Sequence, residues 1–253
     1  MMRLLVVLVW AWAWALPAAA APVLNFAVGA DGRWFDWREY LDGSELLNEV
    51  GPQLFLTGHA ELQQGPFVAA LDTAWGGGVA RYDGQLQNGQ PYKSTAYETV
   101  TDTQYSLRWR EARGEFGVAM LQRDWRRFIE GGGNVSPAEE RFRWQLWLVG
   151  GEWRVHMSEA FEWRLALQAG EPFLSKEKVY FRTGEDTLEL EPGKGRYVRF
   201  SLPLRSLRQP ALRIEPYYQQ QRMARSAPEI LTQDGVPTIF QVYQPASIRR
   251  ELG

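Results

Sequence analysis

The pattern that most constrains this chain is an alternation of large apolar and charged side chains across residues 138–168. Apolar Phe142 is followed by Arg143, for example, and the alternation continues on both sides of the Gly150–Gly151 pair. Successive side chains of a β-strand point to opposite faces, so a period of two over this length predicts strands. The glycine pair between the two runs predicts the turn of a β-hairpin.

Similar runs follow one another along the chain and predict about ten strands. Tight turns and longer loops alternate between them, as in up-and-down barrels of the outer membrane, which have short periplasmic turns and longer extracellular loops. The predicted loops are 40–51, 83–95, 130–137, 169–195 and 224–239. The predicted strands are 24–39, 52–63, 67–82, 96–111, 115–129, the two strands of the hairpin, 196–206, 210–223 and a last strand from near 240 to Gly253.

The sequence therefore predicts an all-β fold: an up-and-down antiparallel transmembrane β-barrel of about ten strands, the last one incomplete. Pro203 and Pro216 fall within predicted strands and predict a bulge or kink, because proline has no N–H to donate to a neighbouring strand. The Gly76-Gly77-Gly78 run predicts a sharp bend or a close packing contact inside the third strand.

Composition agrees with a barrel and excludes some chemistry. The 253 residues fit one large all-β domain, and the aromatic content of 13% is high, as in aromatic-rich membrane barrels. The absence of Cys excludes disulfides and thiol catalysis, and a net charge of −2 offers no general attraction to nucleic acid.

The N-terminus predicts export. Arg3 precedes an apolar run that is shorter than the ~20 residues a spanning helix needs, and a small-residue cleavage region follows at Ala18-Ala19-Ala20. We therefore expect a signal peptide over residues 1–20 and an outer-membrane barrel domain over 21–253. No Cys follows the cleavage region, so a lipoprotein is excluded.

Alternation alone does not say which face of a barrel points inward. An Arg facing lipid at the midplane costs about 2–4 kcal/mol, so a membrane barrel is expected to turn its arginine rows into the lumen and its apolar rows, including Phe142, Trp144 and Leu146, toward lipid. A soluble periplasmic barrel of lipocalin type, with the apolar rows inside, is the alternative. The predicted lumen-lining residues are Arg108, Arg110, Arg141, Arg143, Arg154, His156, Glu162, Arg164, Arg199, Arg205, Arg213 and Glu215.

The strand–loop rhythm of residues 22–253 and the opening FDWREY…GSELLNEVGP resemble bacterial outer-membrane β-barrel proteins, more narrowly an uncharacterised group of ten-stranded ones. The resemblance implies a Gram-negative outer-membrane protein that contacts membrane lipid and lipopolysaccharide and is inserted by the barrel-assembly machinery. Members of this class usually finish on a strand with a terminal aromatic residue. Here the sequence ends at Leu252-Gly253, which favours a fragment that lacks the end of the last strand.

Candidate chemistry is sparse, and no cofactor or metal is expected. His156 and Ser158 have a spacing similar to that of outer-membrane lipid A deacylases, which makes a membrane hydrolase an alternative; a lumen histidine in a polar network is the favoured interpretation. His59 has no clustered metal-ligand partners in the sequence. The basic, aromatic segment 123–128 is compatible with lipopolysaccharide phosphates, although a solvated strand end is favoured.

A barrel of ten strands is only slightly wider than one that its own side chains fill. The sequence thus predicts a structural or surface-recognition barrel, or a narrow channel, with binding concentrated in the long loops and no assigned enzymatic activity.

Overall fold

The computed structural model describes residues 21–85, 90–132, 135–181, 185–209 and 212–253. The predicted signal peptide, residues 1–20, lies outside the described residues. No helix in these ranges has the length and apolar character needed to cross a membrane. The strands are β1 (Val23–Leu41), β2 (Ser44–Gln64), β3 (Phe67–Gln85), β4 (Pro91–Glu111), β5 (Gly114–Ile129), β6 (Ala138–Met157), β7 (Phe161–Tyr180), β8 (Leu188–Leu190), β9 (Gly193–Ser201), β10 (Leu204–Ser206), β11 (Arg213–Ile214), β12 (Tyr217–Ala224), β13 (Glu229–Gln233), β14 (Val236–Val242) and β15 (Ala246–Leu252).

The strands close into a ring. Hydrogen-bonded neighbours follow chain order from β1 to β7; the ring then continues through β9, β12 and β15 and returns to β1, with every pair antiparallel. This confirms the predicted fold, a closed antiparallel barrel of ten strands. The last strand is short: β15 has 7 residues and pairs with the Trp34–Tyr40 part of β1, which has 19. Strands β8, β10 and β11 extend the wall, and β13 and β14 form a separate hairpin.

Three predicted connections are wrong. The first is the hairpin turn at Gly150-Gly151, and the third is the loop predicted over 169–195, because β7 continues to Tyr180. Both glycines lie inside β6, opposite Gly117 and Phe116 of β5, and the chain turns only after Met157. The Ser158 side chain closes that turn, because its hydroxyl oxygen accepts hydrogen bonds from the backbone N–H groups of Ala160 and Phe161, at 3.3 and 3.1 Å.

The second wrong connection is the long loop predicted over 40–51. Asp42 and Gly43 form a tight turn instead, both with positive φ (50° and 86°), which is the backbone that a two-residue β-hairpin turn requires. The regular alternation of short turns and long loops therefore fails at this point. Elsewhere Pro203 and Pro216 interrupt the wall between β9 and β10 and between β11 and β12, as the missing N–H predicts.

The strands are longer than a membrane requires. The 21 residues of β2 extend about 70 Å at ~3.3 Å per residue, which is roughly 50 Å of height at the usual barrel tilt, against an apolar band of about 25 Å. The barrel therefore has a turn-side half, next to the tight turns near Gly65 and Ser158, and a loop-side half, next to the connection over 130–137.

The turn-side half has an apolar outer surface, as a strand facing lipid requires. Leu54 is 69% exposed, Trp75 62% and Val149 61%, and a surface of this size is unusual on a soluble monomer. Other exposed apolar side chains of this half are Phe26, Val28, Leu56, Leu62, Leu71, Leu107, Trp109, Phe116, Val118, Trp153, Val155, Trp163, Leu167, Val198 and Phe200.

The Gly76-Gly77-Gly78 run lies in the middle of β3, where the backbones approach closely. A Cβ on Gly77 would collide with the backbone of Glu98 in β4, and one on Gly76 with that of Leu54 in β2. Of the two predicted roles, the geometry supports close packing: glycine is present because a side chain has no room.

We expect Gly77→Ala to lower the free energy of unfolding by about 1–3 kcal/mol, because the added methyl forces β3 and β4 apart. Gly32→Ala is the matched control: Gly32 pairs with the same Leu54 across the wall, and a Cβ there meets nothing within 4 Å. Urea unfolding of the barrel in lipid vesicles measures both. Equal effects at the two positions would contradict the packing argument.

Candidate functional site

A cluster of aromatic side chains crosses the interior of the loop-side half. Trp37 belongs to β1, Trp125 to β5 and Trp144 to β6, and β1 and β6 lie on opposite walls of the ring. The Trp37 ring centroid lies 5.0 Å from that of Trp125 and 6.3 Å from that of Trp144. Phe142 stacks on Trp125 at 4.6 Å, and Phe35 packs edge-on against it at 5.8 Å. The rings therefore fill the lumen from wall to wall.

This cluster corrects the predicted orientation of the first half of β6. Phe142, Trp144 and Leu146 were expected to face lipid, but they are 2%, 0% and 0% exposed and point into the barrel. On the turn side of Leu146 the outward positions are apolar instead, beginning with Trp147 and Val149. The apolar side of one continuous strand thus changes from inner to outer within the four residues Leu146 to Val149.

Buried ion pairs lie beside the aromatic rings and also join opposite walls. Arg127 of β5, 2% exposed, donates to Glu49 of β2 at 2.9 Å and to Glu39 of β1 at 3.4 Å, and it also pairs with Glu140 of β6. The guanidinium of Arg249 lies 4.7 Å from the ring centroid of Trp125. Charge and aromatic surface are therefore packed into one layer.

A second set of ion pairs lies nearer the middle of the barrel. Arg123 donates to Asp102 at 2.6 and 2.8 Å and lies 3.3 Å from Glu251 of the last strand. Arg33 donates to the same two carboxylates, both at 3.1 Å, and Arg249 donates to Glu251 at 2.5 Å. Because β5 and β15 lie on opposite walls, Glu251 ties the short last strand to the far side of the barrel.

Below this layer the turn-side half contains a cavity of about 470 Å³. Charged side chains from many strands reach it, including Asp72, Arg108, Arg199, Arg213 and Glu215. Its cations are paired: Arg108 with Glu61 and Glu115, and Arg213 with Glu215 at 2.6 Å. The cavity can hold water or a small polar solute, and it is closed toward the loops by the aromatic layer.

The structure brings nine of the twelve predicted lumen residues together in two ion-pair networks in this half. In the first, Arg108 and Arg110 share Glu61 and Glu115. In the second, Glu152 accepts from Arg164 and Arg205 at 3.0 Å each and from Arg213 at 3.4 Å. The remaining members of the second network are Arg154, Glu162, Arg199 and Glu215.

Three predicted lumen residues lie elsewhere. Arg141 and Arg143 are on the outer face of the loop-side half, with side chains 52% and 60% exposed, because the inner positions there belong to the aromatic cluster. His156 follows a register shift between Arg154 and His156 and pairs with Trp163, whose exposed ring belongs to the outer face. A β-bulge adds one residue and so transfers the following side chain to the other face.

Sequence reasoning missed the residues that hold the networks together. Glu61 and Glu115 occupy buried, inward positions of β2 and β5, and both strands were predicted, so the same alternation could have found them. Glu152 directly follows Gly150-Gly151, where a hairpin turn was predicted, but it lies inside β6 opposite Glu115. Arg123 and Arg127 had been read only as part of a basic surface segment, although their spacing of four places both on one face.

The geometry offers little support for the hydrolase alternative. The Ser158 hydroxyl is engaged in the turn, where it also donates to the backbone carbonyl of Phe161 at 3.2 Å. The other histidine, His59, contacts Asp72 with Nδ1–Oδ1 at 2.6 Å on the inner face of β2 and β3. Among the residues that the structure describes, no group of His, Asp and Glu side chains is arranged to hold a metal ion.

No protein-family model and no curated protein sequence matches this chain. The solved structures it resembles include the following three. The outer membrane protease OmpT from Escherichia coli shows 10% identity and a TM-score of 0.49, covering 93% of this chain and 96% of that one. The translocator domain of the autotransporter NalP from Neisseria meningitidis shows 10% identity and a TM-score of 0.39, covering 100% of this chain and 94% of that one. A mutant of the monoaromatic hydrocarbon channel TodX shows 10% identity and a TM-score of 0.40, covering 92% of this chain and 68% of that one.

We expect Arg123→Leu to lower the free energy of unfolding by roughly 3–5 kcal/mol, because it removes the two shortest hydrogen bonds to Asp102 and one of the three arginines around buried Glu251. Lys93→Leu is the control, since Lys93 is 73% exposed and its pair with Asp83 lies in water, where removal changes stability by less than ~1 kcal/mol. Tryptophan fluorescence during urea unfolding in lipid vesicles measures both. A loss at Arg123 no larger than that at Lys93 would contradict a structural role for the inner ion pairs.

Proposed function

We propose that this chain is an integral outer-membrane barrel that does not conduct solutes and that presents its loop end for surface recognition. Its apolar outer band in the turn-side half supports a place in the membrane, with the loops outside the cell. The soluble lipocalin alternative requires the apolar surface of that half to be inside, where the structure instead has Arg and Glu.

One observation favours recognition over a narrow channel: the contact of Trp37 with Trp125 and Trp144 from the opposite wall. A channel needs a continuous polar path, and this layer of rings, reinforced by the Arg127 ion pairs, interrupts it. The layer therefore separates the cavity below from the loop end of the barrel.

The loop end offers a surface suited to recognition. The β13–β14 hairpin exposes Ile239 (92%), Val236 (64%) and Phe240 (58%), a concentration of apolar side chains that is typical of contact surfaces. The hairpin is attached to the connection after β7: the Gly235 N–H donates to Asp186 Oδ2 at 2.9 Å, and the Asp186 N–H donates to the Thr232 carbonyl at 3.0 Å. It is therefore held in a defined position.

The membrane placement predicts recovery in the outer-membrane fraction and a folded form that migrates differently on gels before and after boiling. In planar bilayers, the folded protein is expected to give no steady conductance steps, because the aromatic layer blocks the lumen. The unboiled band in the same sample serves as the control that folded barrel was present. Soluble monomer from a periplasmic extract would contradict the membrane placement, and steps that scale with folded protein would contradict the closed lumen.

The attachment of the hairpin predicts a dependence on pH. Hydrogen bonds from the Thr232 side chain and from the Gly235 N–H lower the pKa of Asp186. Docking through the carboxylate is therefore complete above the ordinary Asp pKa of about 3.9 and is lost as the pH falls through the lower value of the folded state. The Gly235 amide resonance in a 15N-labelled sample is expected to titrate with a midpoint below ~3.9, and Asp186→Asn is expected to abolish that titration. A midpoint at or above ~3.9 would contradict the attachment.

A further inference from the structure

The outer face of β5, β6 and β7 carries two rows of cations in the loop-side half. Arg126 lies directly opposite Arg141 on the neighbouring strand, and Arg141 lies opposite Lys178. In the adjacent row of the same face, Arg143 lies opposite Lys176. Directly paired side chains of neighbouring strands lie about 4.5–5.5 Å apart at Cβ, so these cations are in contact range of one another. We call these five residues the cationic face.

The cationic face is exposed and only partly neutralised. Arg126 and Arg141 both pair with Glu139, at 2.9 and 2.8 Å, so one carboxylate serves two guanidinium groups. Arg143 pairs with Asp124 at 2.6 Å, and Lys178 pairs with Glu189. Lys176 forms no ion pair within the described part of the chain. Directly paired like charges destabilise a sheet, so an external anion would stabilise this face.

The height of the cationic face on the barrel points to the kind of anion. Trp147 of β6 stacks on Phe173 of β7 at 5.3 Å on the same outer surface, and Arg143 lies two outward positions farther toward the loops than Trp147. That separation is about 13 Å along the strand and roughly 10 Å in height. Exposed aromatic rings mark the edge of the acyl region, and the lipid headgroups begin immediately beyond it.

We propose that the cationic face binds the phosphate groups of a phosphorylated lipid in the surrounding outer leaflet. The inference rests on the proposed membrane placement and adds a specific site to it. Arg141 and Arg143 supply planar donors that fit phosphate oxygens bidentately, and Lys176 supplies a mobile point charge beside Arg143. The acyl chains of the same lipid lie against Trp147, Val149 and Phe173.

A matched surface on the opposite side of the barrel provides the control. Arg38, Arg222 and Arg250 also point outward beyond the apolar band, but Asp36 lies among them. Asp36 accepts from Arg38 at 3.0 Å and lies 3.6 Å from Arg250, and Glu45 accepts from Arg38 at 3.1 Å. This surface carries three arginines, and the variant of the cationic face tested below also loses three cations. Unlike the cationic face, it has no two adjoining rows of like charge.

The test compares two triple variants of the full chain, folded in zwitterionic detergent and titrated with lipid A carrying two phosphates, with bound lipid counted by native mass spectrometry. Arg141→Gln/Arg143→Gln/Lys176→Gln is expected to weaken lipid binding at least about tenfold, since each cation near an anionic lipid surface contributes on the order of 1 kcal/mol. Arg38→Gln/Arg222→Gln/Arg250→Gln is expected to bind as the unaltered chain does. Equal loss in both variants, or in neither, would overturn the proposal.

Two further titrations identify the source of the phosphate. Lipid A without phosphates is expected to bind the unaltered chain as weakly as the phosphorylated lipid binds the first variant. Inorganic phosphate at the same concentration is expected to displace no lipid. Equal binding of the dephosphorylated lipid, or displacement by inorganic phosphate mole for mole, would overturn the assignment to a phosphorylated lipid.

These outcomes are separable from a failure of the membrane placement. Both triple variants change exposed side chains, so both are expected to keep the gel shift on boiling that reports a folded barrel. A folded, membrane-recovered barrel that ignores lipid phosphates would overturn only the site. A chain that is soluble without detergent would overturn the placement first.

Discussion

The structure depends on one constraint: the barrel has an apolar outer surface in its turn-side half and an apolar interior in its loop-side half, so the apolar side of a long strand must change part-way along its length. In β6 the change falls within Leu146–Val149, where inward Leu146 and Leu148 alternate with outward Trp147 and Val149. In the proposed membrane placement, the outside below this level must be apolar because lipid offers no hydrogen bonds, and the inside can be charged. Above it water covers the outside, and the interior must supply a hydrophobic core.

The two halves accordingly solve the problem of a filled lumen in different ways. In the loop-side half, aromatic rings from opposite walls bury one another, as in the interior of a soluble barrel. In the turn-side half, Arg and Glu side chains fill the space and satisfy each other, since a buried charge without a partner is costly. Glu152, which accepts from three arginines, shows how few carboxylates are needed when each one is shared. The membrane and soluble interpretations of the sequence each describe one half of the molecule.

This change of side also explains what the sequence could predict. Closure into ten antiparallel strands follows from repeated alternation, which is local and survives errors at the ends of strands. The orientation of Phe142 and Trp144 could not be predicted, because the prediction assigned the apolar face of each whole strand to a single side of the barrel. The turn predicted at Gly150-Gly151 started a new strand, which could have its own apolar face. In the structure these glycines instead allow close packing against β5 and β7. The four consecutive apolar residues from Leu146 to Val149 were the available signal of the change.

The ion pairs across the lumen were beyond prediction for a different reason. Arg123 meets Glu251 only because β15 closes the ring opposite β5, and that contact joins residues far apart in the chain. The position of the cationic face follows from the same geometry. Once the aromatic core takes the inner positions of β5 and β6 above the membrane, the alternating Arg and Lys side chains must point outward at that level. A strand that changes its apolar side at the acyl boundary therefore places outward cations just above that boundary, where lipid phosphates lie.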